Sequence, residues 1–429
     1  MNEQDFEAVR GALVGVVTRD RDEEEVNISM GELARLLETA GGVPVFSMIQ
    51  NKEAPDARTY LGSGKVAELA YYCATNDVTL VVFDCELSPS QIRNLEDALG
   101  DGVRVIDRSM LILDIFALHA ESSEGKLQVE LAQLKYTAPR LLGRGGALSR
   151  LGGGIGTRGP GESQLETDRR HLARRVHALE QALAEVAENR RTQRQARDRS
   201  GLSRVAIVGY TNAGKSTLLN RLTDANILVA DKLFATLDPT TRQCRLPGGE
   251  TVLLTDTVGF IRNLPHHLVH AFKSTLEEAV SADLLLVLVD ASDKEAARQI
   301  EVTEGLLADI GAADKKVLYV FNKCDLGAAV PGVGRLRDSV VYISATTGQG
   351  VDLLLGKIED MLHDGHSRVT FRIPNEKQGL LSVLYRDATV ETVEYGDEAA
   401  VVTAIVDGKT YGRLREYDIS DRGATDDGE

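Results

Sequence analysis

Four short apolar runs open the chain: residues 12–18 (ALVGVVT), 43–49 (VPVFSMI), 80–84 (LVVFD) and 103–106 (VRVI). Helical patterns separate them near residues 30–40, 65–76, 89–99 and 109–119. Continuous apolar runs alternating with helices predict a small α/β domain over residues 1–120, its strands buried in a largely parallel sheet. Inside it, Gly62-Ser63-Gly64-Lys65 is too short for a phosphate loop and reads as the turn that starts a helix.

After residue 120 the pattern changes. Leu127, Leu131 and Leu134 recur at helical spacing, and beyond a glycine- and arginine-rich stretch so do Leu165, Leu172, Val176, Leu179, Leu183 and Val186. Spacings of four and three form a coiled-coil seam, so residues 121–202 read as an antiparallel helical hairpin joined by residues about 138–161. Arg169 falls in the seam between Leu165 and Leu172 and weakens that part of it. Near the other end Val369, Phe371 and Ile373 alternate, 379–384 (GLLSVL) looks helical, and 389–394 and 400–406 read as strands. These predict a small α+β domain over 366–416, followed by an acidic tail, 417–429, that reads as disordered.

Residues 203–365 carry the chemistry. The β-branched run Arg204–Val208 enters GYTNAGKS (209–216), and helical spacing resumes at Lys215. A glycine loop between strand and helix points backbone N–H groups into one concavity at a helix N-terminus, which suits the β- and γ-phosphates. The loop residues Gly209, Tyr210, Thr211, Asn212, Ala213, Gly214, Lys215, Ser216 and Thr217 are expected around the nucleotide, with Lys215 adding charge at the phosphates and Ser216 a hydroxyl for Mg²⁺. A second buried-type run, Val252–Thr255, ends in Asp256-Thr257-Val258-Gly259, the D-x-x-G pattern. Asp256 is expected to hold a Mg²⁺-bound water, and the Gly259 N–H to touch the γ-phosphate, so this loop changes state when that phosphate leaves.

Asn322-Lys323-Cys324-Asp325 and Ser344-Ala345-Thr346 each follow a strand-like run. The Asp325 carboxylate can accept from guanine N1–H and N2–H₂, while Asn322 and the Lys323 stem frame the ring and Ser344-Ala345 offers an N–H to O6. Adenine lacks that donor pair and would leave a carboxylate unpaired, so the base is guanine. The first switch lies between the phosphate loop and Asp256, and Phe234-Ala235-Thr236-Leu237-Asp238 is the candidate. Thr236 is the choice for the second Mg²⁺ hydroxyl, with Thr240 and Thr241 left open by spacing alone. Lys215, Thr236 and Gly259 carry the expected catalytic roles.

Phe260 follows Gly259, where many switch GTPases carry a glutamine that orients the attacking water, so slow intrinsic hydrolysis is expected. In GTPases with this G-x-x-N-x-G-K-S loop and an apolar residue after D-x-x-G, the asparagine can hold K⁺. Asn212 is therefore a candidate K⁺ ligand, with loop capping the equally weighted alternative.

At 429 residues and 43% hydrophobic content, about three domains can each bury a core. A net charge of −16 argues against a whole surface built for nucleic acid, and the absence of Trp leaves few stacking platforms. Yet residues 140–199 hold 13 Arg against 7 Asp and Glu, a local excess of six positive charges. Arg140, Arg144, Arg150 and Arg158 are spaced among glycines that cannot pack a core, which favours RNA contact over a solvated linker. The four cysteines form no C-x-x-C pair, no apolar run reaches bilayer length, and the N-terminus is not a signal peptide. A cytoplasmic protein is expected, at most loosely associated with a membrane and without stable insertion in it.

Residues 152–170 (GGGIGTRGPGESQLETDRR), directly upstream of FATLDPT and DTVGFI, resemble the HflX family of bacterial GTPases. Tyr60-Leu61-Gly62-Ser63-Gly64-Lys65 and the stretch from Asp107 to Arg140 (DRSMLILDIF through QVELAQLKYTAPR) add to the resemblance, which spans nearly the whole chain. It implies an α/β multidomain chain: a small N-terminal α/β domain with a helical hairpin, a central P-loop Ras-like GTPase domain, and a small C-terminal domain. It further implies a monomer that binds GTP and GDP with Mg²⁺, engages the large ribosomal subunit and its 23S rRNA through residues 140–199, and splits or rescues ribosomes under stress. The alternatives are a GTPase switch in ribosome assembly or for a protein or membrane partner, and a nucleotide-driven rRNA remodelling enzyme.

Overall fold

The computed structural model describes residues 9–141, 164–198, 202–223, 233–234, 236–263, 273–327, 339–362 and 366–419. The chain divides into two compact units, Met1–Cys244 with Thr251–Val351, and Arg245–Glu250 with Asp352–Glu429.

The first unit opens with four strands, β1 (Arg10–Val17), β2 (Val43–Asn51), β3 (Leu80–Phe83) and β4 (Arg104–Asp107), in the order β2-β1-β3-β4. All three pairings are parallel, as the apolar runs predict. Helices α1 (Glu23–Thr39) and α4 (Arg108–His119) cover one face, and α2 (Ser63–Thr75) and α3 (Pro89–Leu99) the other. Gly62-Ser63-Gly64-Lys65 forms the expected helix-start turn, since Gly62 is the N-cap of α2 and Lys65 pairs with Glu68 at 2.9 Å.

Helix α1 begins earlier than the apolar pattern near 30–40 suggests. Its first turn is Glu23-Glu24-Glu25, which contributes no apolar period, but Asp22 caps it by accepting from Glu25 N, and three carboxylates sit favourably at the positive end of the helix dipole. Asp107 caps α4 in the same way and also accepts from Tyr136 Oη at 2.5 Å. Tyr136 lies on α5 (Ser123–Leu141), so this buried bond ties that long helix to the parallel sheet.

Helix α6 (Gln164–Asp198) packs against α5, with Leu179 buried and Leu172, Val176, Leu183 and Val186 half-buried along the expected seam, while Arg169 is exposed. Arg175 reaches Glu130, and Lys135 reaches Glu180 at 2.7 Å. The hairpin connection, including Arg144, Arg150 and Arg158, lies outside the described residues.

The same unit contains a six-stranded sheet in the order β10-β9-β8-β5-β7-β6. Its members are β5 (Arg204–Gly209), β6 (Thr240–Arg245), β7 (Thr251–Asp256), β8 (Leu284–Asp290), β9 (Lys316–Asn322) and β10 (Val340–Tyr342). Strands β7, β5, β8, β9 and β10 run parallel in register, so their carboxyl ends bring Gly209, Asp256 and Asn322 to one rim, where α/β sheets bind ligands. Helices α7 (Lys215–Thr223), α8 (Lys273–Ser281) and α9 (Ala296–Asp309) follow β5, β7 and β8. One apolar cluster runs from α1 and α4 (Leu33, Leu36, Phe116) to Phe234, Tyr210 and Phe260 without a break.

In the second unit, β11 (His366–Pro374), β12 (Thr389–Tyr395) and β13 (Ala399–Asp407) form an antiparallel sheet in the order β11-β13-β12. The alternating Val369, Phe371 and Ile373 all face its core with Val402 and Leu384, the latter from a helix at Gly379–Asp387. Among the described residues no helix is long and apolar enough to cross a membrane.

Candidate functional site

The phosphate loop joins β5 to α7 and is shaped by close approaches that forbid side chains. Gly209 has φ +145°, and a Cβ there would lie 2.2 Å from Leu288 O on β8; Gly214 has φ +95°, and its Cβ would lie 2.4 Å from Asn322 Nδ2. Both positions require glycine for space and for backbone angle. Asn212 adopts a left-handed φ of 62°, which asparagine tolerates better than most residues. Lys215, buried at the first turn of α7, donates from Nζ to Tyr210 O at 2.9 Å and Gly209 O at 3.2 Å, curling over its own loop.

Burial pushes the Lys215 ammonium down to about 8, against the opposing pull of the Asp256 carboxylate. Phosphate oxygens favour the charged amine, so a bound nucleotide raises that value again. Below that value the lysine is charged in both states, whereas above it binding takes up a proton and nucleotide affinity falls, by up to about tenfold per pH unit. Calorimetry at about pH 9, in buffers of different ionisation enthalpy, should register uptake of close to one proton; no uptake would mean a lysine already charged in the free protein.

Ser216 Oγ lies 2.8 Å from Thr236 Oγ1 and donates to Asp256 Oδ2 at 2.7 Å. Asp256 Oδ1 is buried and has no hydrogen-bond partner among the described residues, and burial pushes this carboxyl up. Two hydroxyls and a carboxylate with a spare buried oxygen form a hard, all-oxygen donor set of the kind Mg²⁺ takes. Thr240 and Thr241 are elsewhere: both lie on β6, where Thr241 Oγ1 sits 2.9 Å from Thr255 Oγ1. Of the three threonines left open by spacing, Thr236 is thus the one beside Ser216. Thr217 is half-buried on the same helix, and Ala235 lies outside the described residues.

The D-x-x-G segment presses against the phosphate loop. A Cβ on Gly259 would meet Thr211 Cγ2 at 2.7 Å and Lys215 Nζ at 3.1 Å. Thr257 Oγ1 donates to Ile207 O at 2.8 Å, Phe260 N to Gly209 O at 3.0 Å, and Thr211 N to Phe260 O at 2.7 Å. Val258 and Phe260 are buried, Phe260 within the apolar cluster, so its ring is unsuited to directing a water.

At the base-binding end, Asn322 is buried and bridges two loops: Nδ2 donates to Ala213 O at 2.8 Å, and Oδ1 accepts from Ala345 N at 2.9 Å. Lys323 has φ 64° and pairs with Asp290 at 2.7 Å, while Asp325 is exposed in the short turn Cys324–Leu326. Ser344 is buried and its Oγ accepts from Thr347 N. Arg221 of α7 donates to Ala345 O at 3.0 Å and to Thr346 O, tying this loop to the phosphate-loop helix. Nothing in the spacing of the sequence singles out Arg221.

A buried polar network from the N-terminal helices is equally hidden in the sequence. Tyr210 Oη donates to Glu32 Oε1 of α1 at 2.5 Å and accepts from Arg262 N at 2.8 Å. Burial, then the Glu32 carboxylate, push the Tyr210 phenol up, so it remains a donor. Arg108 of α4 pairs with Glu32, with Asp84 at 2.8 Å, and donates to Arg262 O at 3.2 Å. Of these groups Tyr210, Glu32 and Arg262 border a cavity of about 290 Å³ shared with Asn212, Arg35 and Gln299. The available signal is Arg108 itself, a charge opening a mostly apolar helix. The first-switch segment turns the same way: Phe234 and Leu237 are buried, and the Asp238 carboxylate faces the start of α5.

Known proteins resemble this chain along most of its length. Family profiles described as GTP-binding GTPase N-terminal, GTP-binding GTPase middle region, 50S ribosome-binding GTPase and HflX C-terminal domain match residues 27–117, 119–197, 204–323 and 333–407. The GTPase HflX of Caldanaerobacter subterraneus subsp. tengcongensis is 49% identical over 411 residues, covering 96% of this chain and 94% of that protein. That of Escherichia coli is 43% identical over 379 residues, 87% of each. Among solved structures, a GTP-binding protein from the archaeon Sulfolobus solfataricus in complex with GDP matches with a TM-score of 0.44 and 24% identity, over 82% of this chain and 99% of that one. With relatives of that identity spanning nearly its whole length, the chain belongs to the HflX family of GTPases and hydrolyses GTP.

Proposed function

We propose that this GTPase is a factor that binds the large ribosomal subunit in its GTP state and leaves after hydrolysis, acting to split or rescue ribosomes under stress. The observation that carries this reading is the excess of six positive charges over residues 140–199 in a chain of net charge −16. That segment includes the end of α5 and all of α6, within the same compact unit as the nucleotide site. Arginines on a glycine-rich connection suit rRNA phosphates, which are contacted by guanidinium groups and free backbone N–H. The match to a 50S ribosome-binding GTPase profile agrees with it.

In the nucleotide site, Lys215 and the loop N–H groups orient the β- and γ-phosphates, and Asp325 with Asn322 fixes the guanine. Ser216, Thr236 and Asp256 would hold Mg²⁺, which would supply positive charge at the phosphates. Gly259 reads the γ-phosphate by its N–H. Phe260 leaves the attacking water without a side-chain guide, so intrinsic turnover is slow and the subunit is the source of stimulation. Asn212 supplies a K⁺ ligand near the phosphates; turnover in K⁺ buffer is expected to exceed that in Na⁺ buffer, and equal rates would remove that role.

The test is a variant in which Arg140, Arg144, Arg150 and Arg158 are all changed to glutamine. Binding to large subunits should weaken, and the slope of log affinity against log salt should flatten by roughly 0.7–0.9 for each rRNA phosphate that an arginine no longer neutralises. Nucleotide affinity should stay unchanged. A wild-type salt slope in the variant would place the rRNA-binding surface elsewhere.

A further inference from the structure

The side chains on either side of Thr236 are anchored on the N-terminal helices. The Asp238 carboxylate accepts three hydrogen bonds at the start of α5: from Glu121 N at 2.9 Å, from Ser122 N at 2.7 Å and from Ser122 Oγ at 2.5 Å. Ser122 Oγ in turn accepts from Gly125 N at 2.8 Å, capping the helix. The fit is close, since a Cβ on Gly125 would lie 2.5 Å from Asp238 Oδ1. On the other side, Phe234 meets Phe116 of α4 edge to face with ring centroids 4.8 Å apart, and Leu233 N donates to Thr39 Oγ1 of α1 at 3.3 Å. Thr236, between these anchors, sends its hydroxyl to Ser216.

We propose that Ser122 is a positioning residue for GTP hydrolysis: through Asp238 it holds the switch segment so that Thr236 reaches the Mg²⁺ site, and α5 thereby sets the competence of the switch. The proposal rests on the reading of Thr236 as a Mg²⁺ ligand. Asp238 sits two residues from Thr236, so losing its three partners frees the backbone that aims the threonine. Ser122 bonds to Asp238 and caps α5, so it acts through Asp238. The helix it caps runs on to Leu141, directly before the glycine- and arginine-rich connection.

The test uses the full-length protein and four variants: Ser122→Ala, Ser122→Thr, Gly125→Ala and Thr236→Ala. Affinities for GDP and for a non-hydrolysable GTP analogue are measured with Mg²⁺, together with kcat for GTP. Ser122→Ala and Gly125→Ala should lower analogue affinity and kcat by about tenfold while GDP affinity stays within about twofold, because the switch threonine contributes to the triphosphate state alone. Ser122→Thr keeps the hydroxyl and should restore both. Gly125→Ala is the more telling variant, since it keeps the Ser122 hydroxyl while the added methyl group displaces the Asp238 carboxylate. Wild-type discrimination in Ser122→Ala and Gly125→Ala, with discrimination abolished in Thr236→Ala, would overturn the positioning role alone. Equal weakening of GDP and analogue would also overturn it, as a purely structural contact. Wild-type behaviour of Thr236→Ala would remove the ligand reading beneath it.

Discussion

Replacing Asp325 with asparagine is expected to cost GTP affinity by about 10²–10⁴-fold, because the proposed pairing of its carboxylate with guanine N1–H and N2–H₂ loses two charge-assisted bonds of about 1.5–3 kcal/mol each. The amide keeps one acceptor and presents a donor to a donor. Xanthine carries a carbonyl where guanine carries its 2-amino group, so xanthosine triphosphate should regain much of what GTP loses. Asp325 is exposed in the turn Cys324–Leu326, so the fold should be indifferent to the change, within about 0.5 kcal/mol. Fluorescent-nucleotide titration decides it. Undiminished GTP affinity in a folded variant would move base recognition off Asp325.

The largest effect on stability is expected at Asn322. Its amide bridges Ala213 O in the phosphate loop and Ala345 N in the second base-binding loop, and the residue is only 2% exposed. Alanine leaves a buried acceptor and a buried donor unpaired at about 1–3 kcal/mol each, so a loss of roughly 2–5 kcal/mol is expected in urea unfolding. Aspartate fills the volume without rescuing it, since it cannot donate to Ala213 O and it buries a charge. The same change should lower affinity for GDP and GTP alike, because both loops are proposed to hold parts of the nucleotide common to the two. Wild-type stability in Asn322→Ala would show that the two loops are held by other interactions.

The nucleotide site is legible in the sequence because its chemistry fixes residue types at short spacing. Gly209 and Gly214 occupy positions where β8 and Asn322 leave no room for a side chain, and Asp256 sits at the end of a buried strand as the D-x-x-G pattern requires. The parallel sheet is legible for a related reason, since strands buried on both faces read as unbroken apolar runs such as Leu80–Phe83. The choice among Thr236, Thr240 and Thr241 is not, because three threonines within one loop differ only in which of them the edge strand β6 takes up. The contact between Asp238 and Ser122 spans 116 residues of sequence and joins two polar stretches with no period of their own. Its place beside Thr236 in the sequence groups Asp238 with the nucleotide, whereas its carboxylate is spent on the start of α5. The start of α1 is hidden by its acidic first turn, which is set by capping and dipole rather than by burial.

On the proposed reading, GTP governs attachment to the large ribosomal subunit. The most direct measurement is co-sedimentation of the purified full-length protein with isolated large and small subunits, with a non-hydrolysable GTP analogue, with GDP, and without nucleotide. Pelleting with the large subunit is expected in the analogue, with release in GDP and none with the small subunit. Pelleting that ignores the nucleotide, or none with the large subunit in any state, would contradict it.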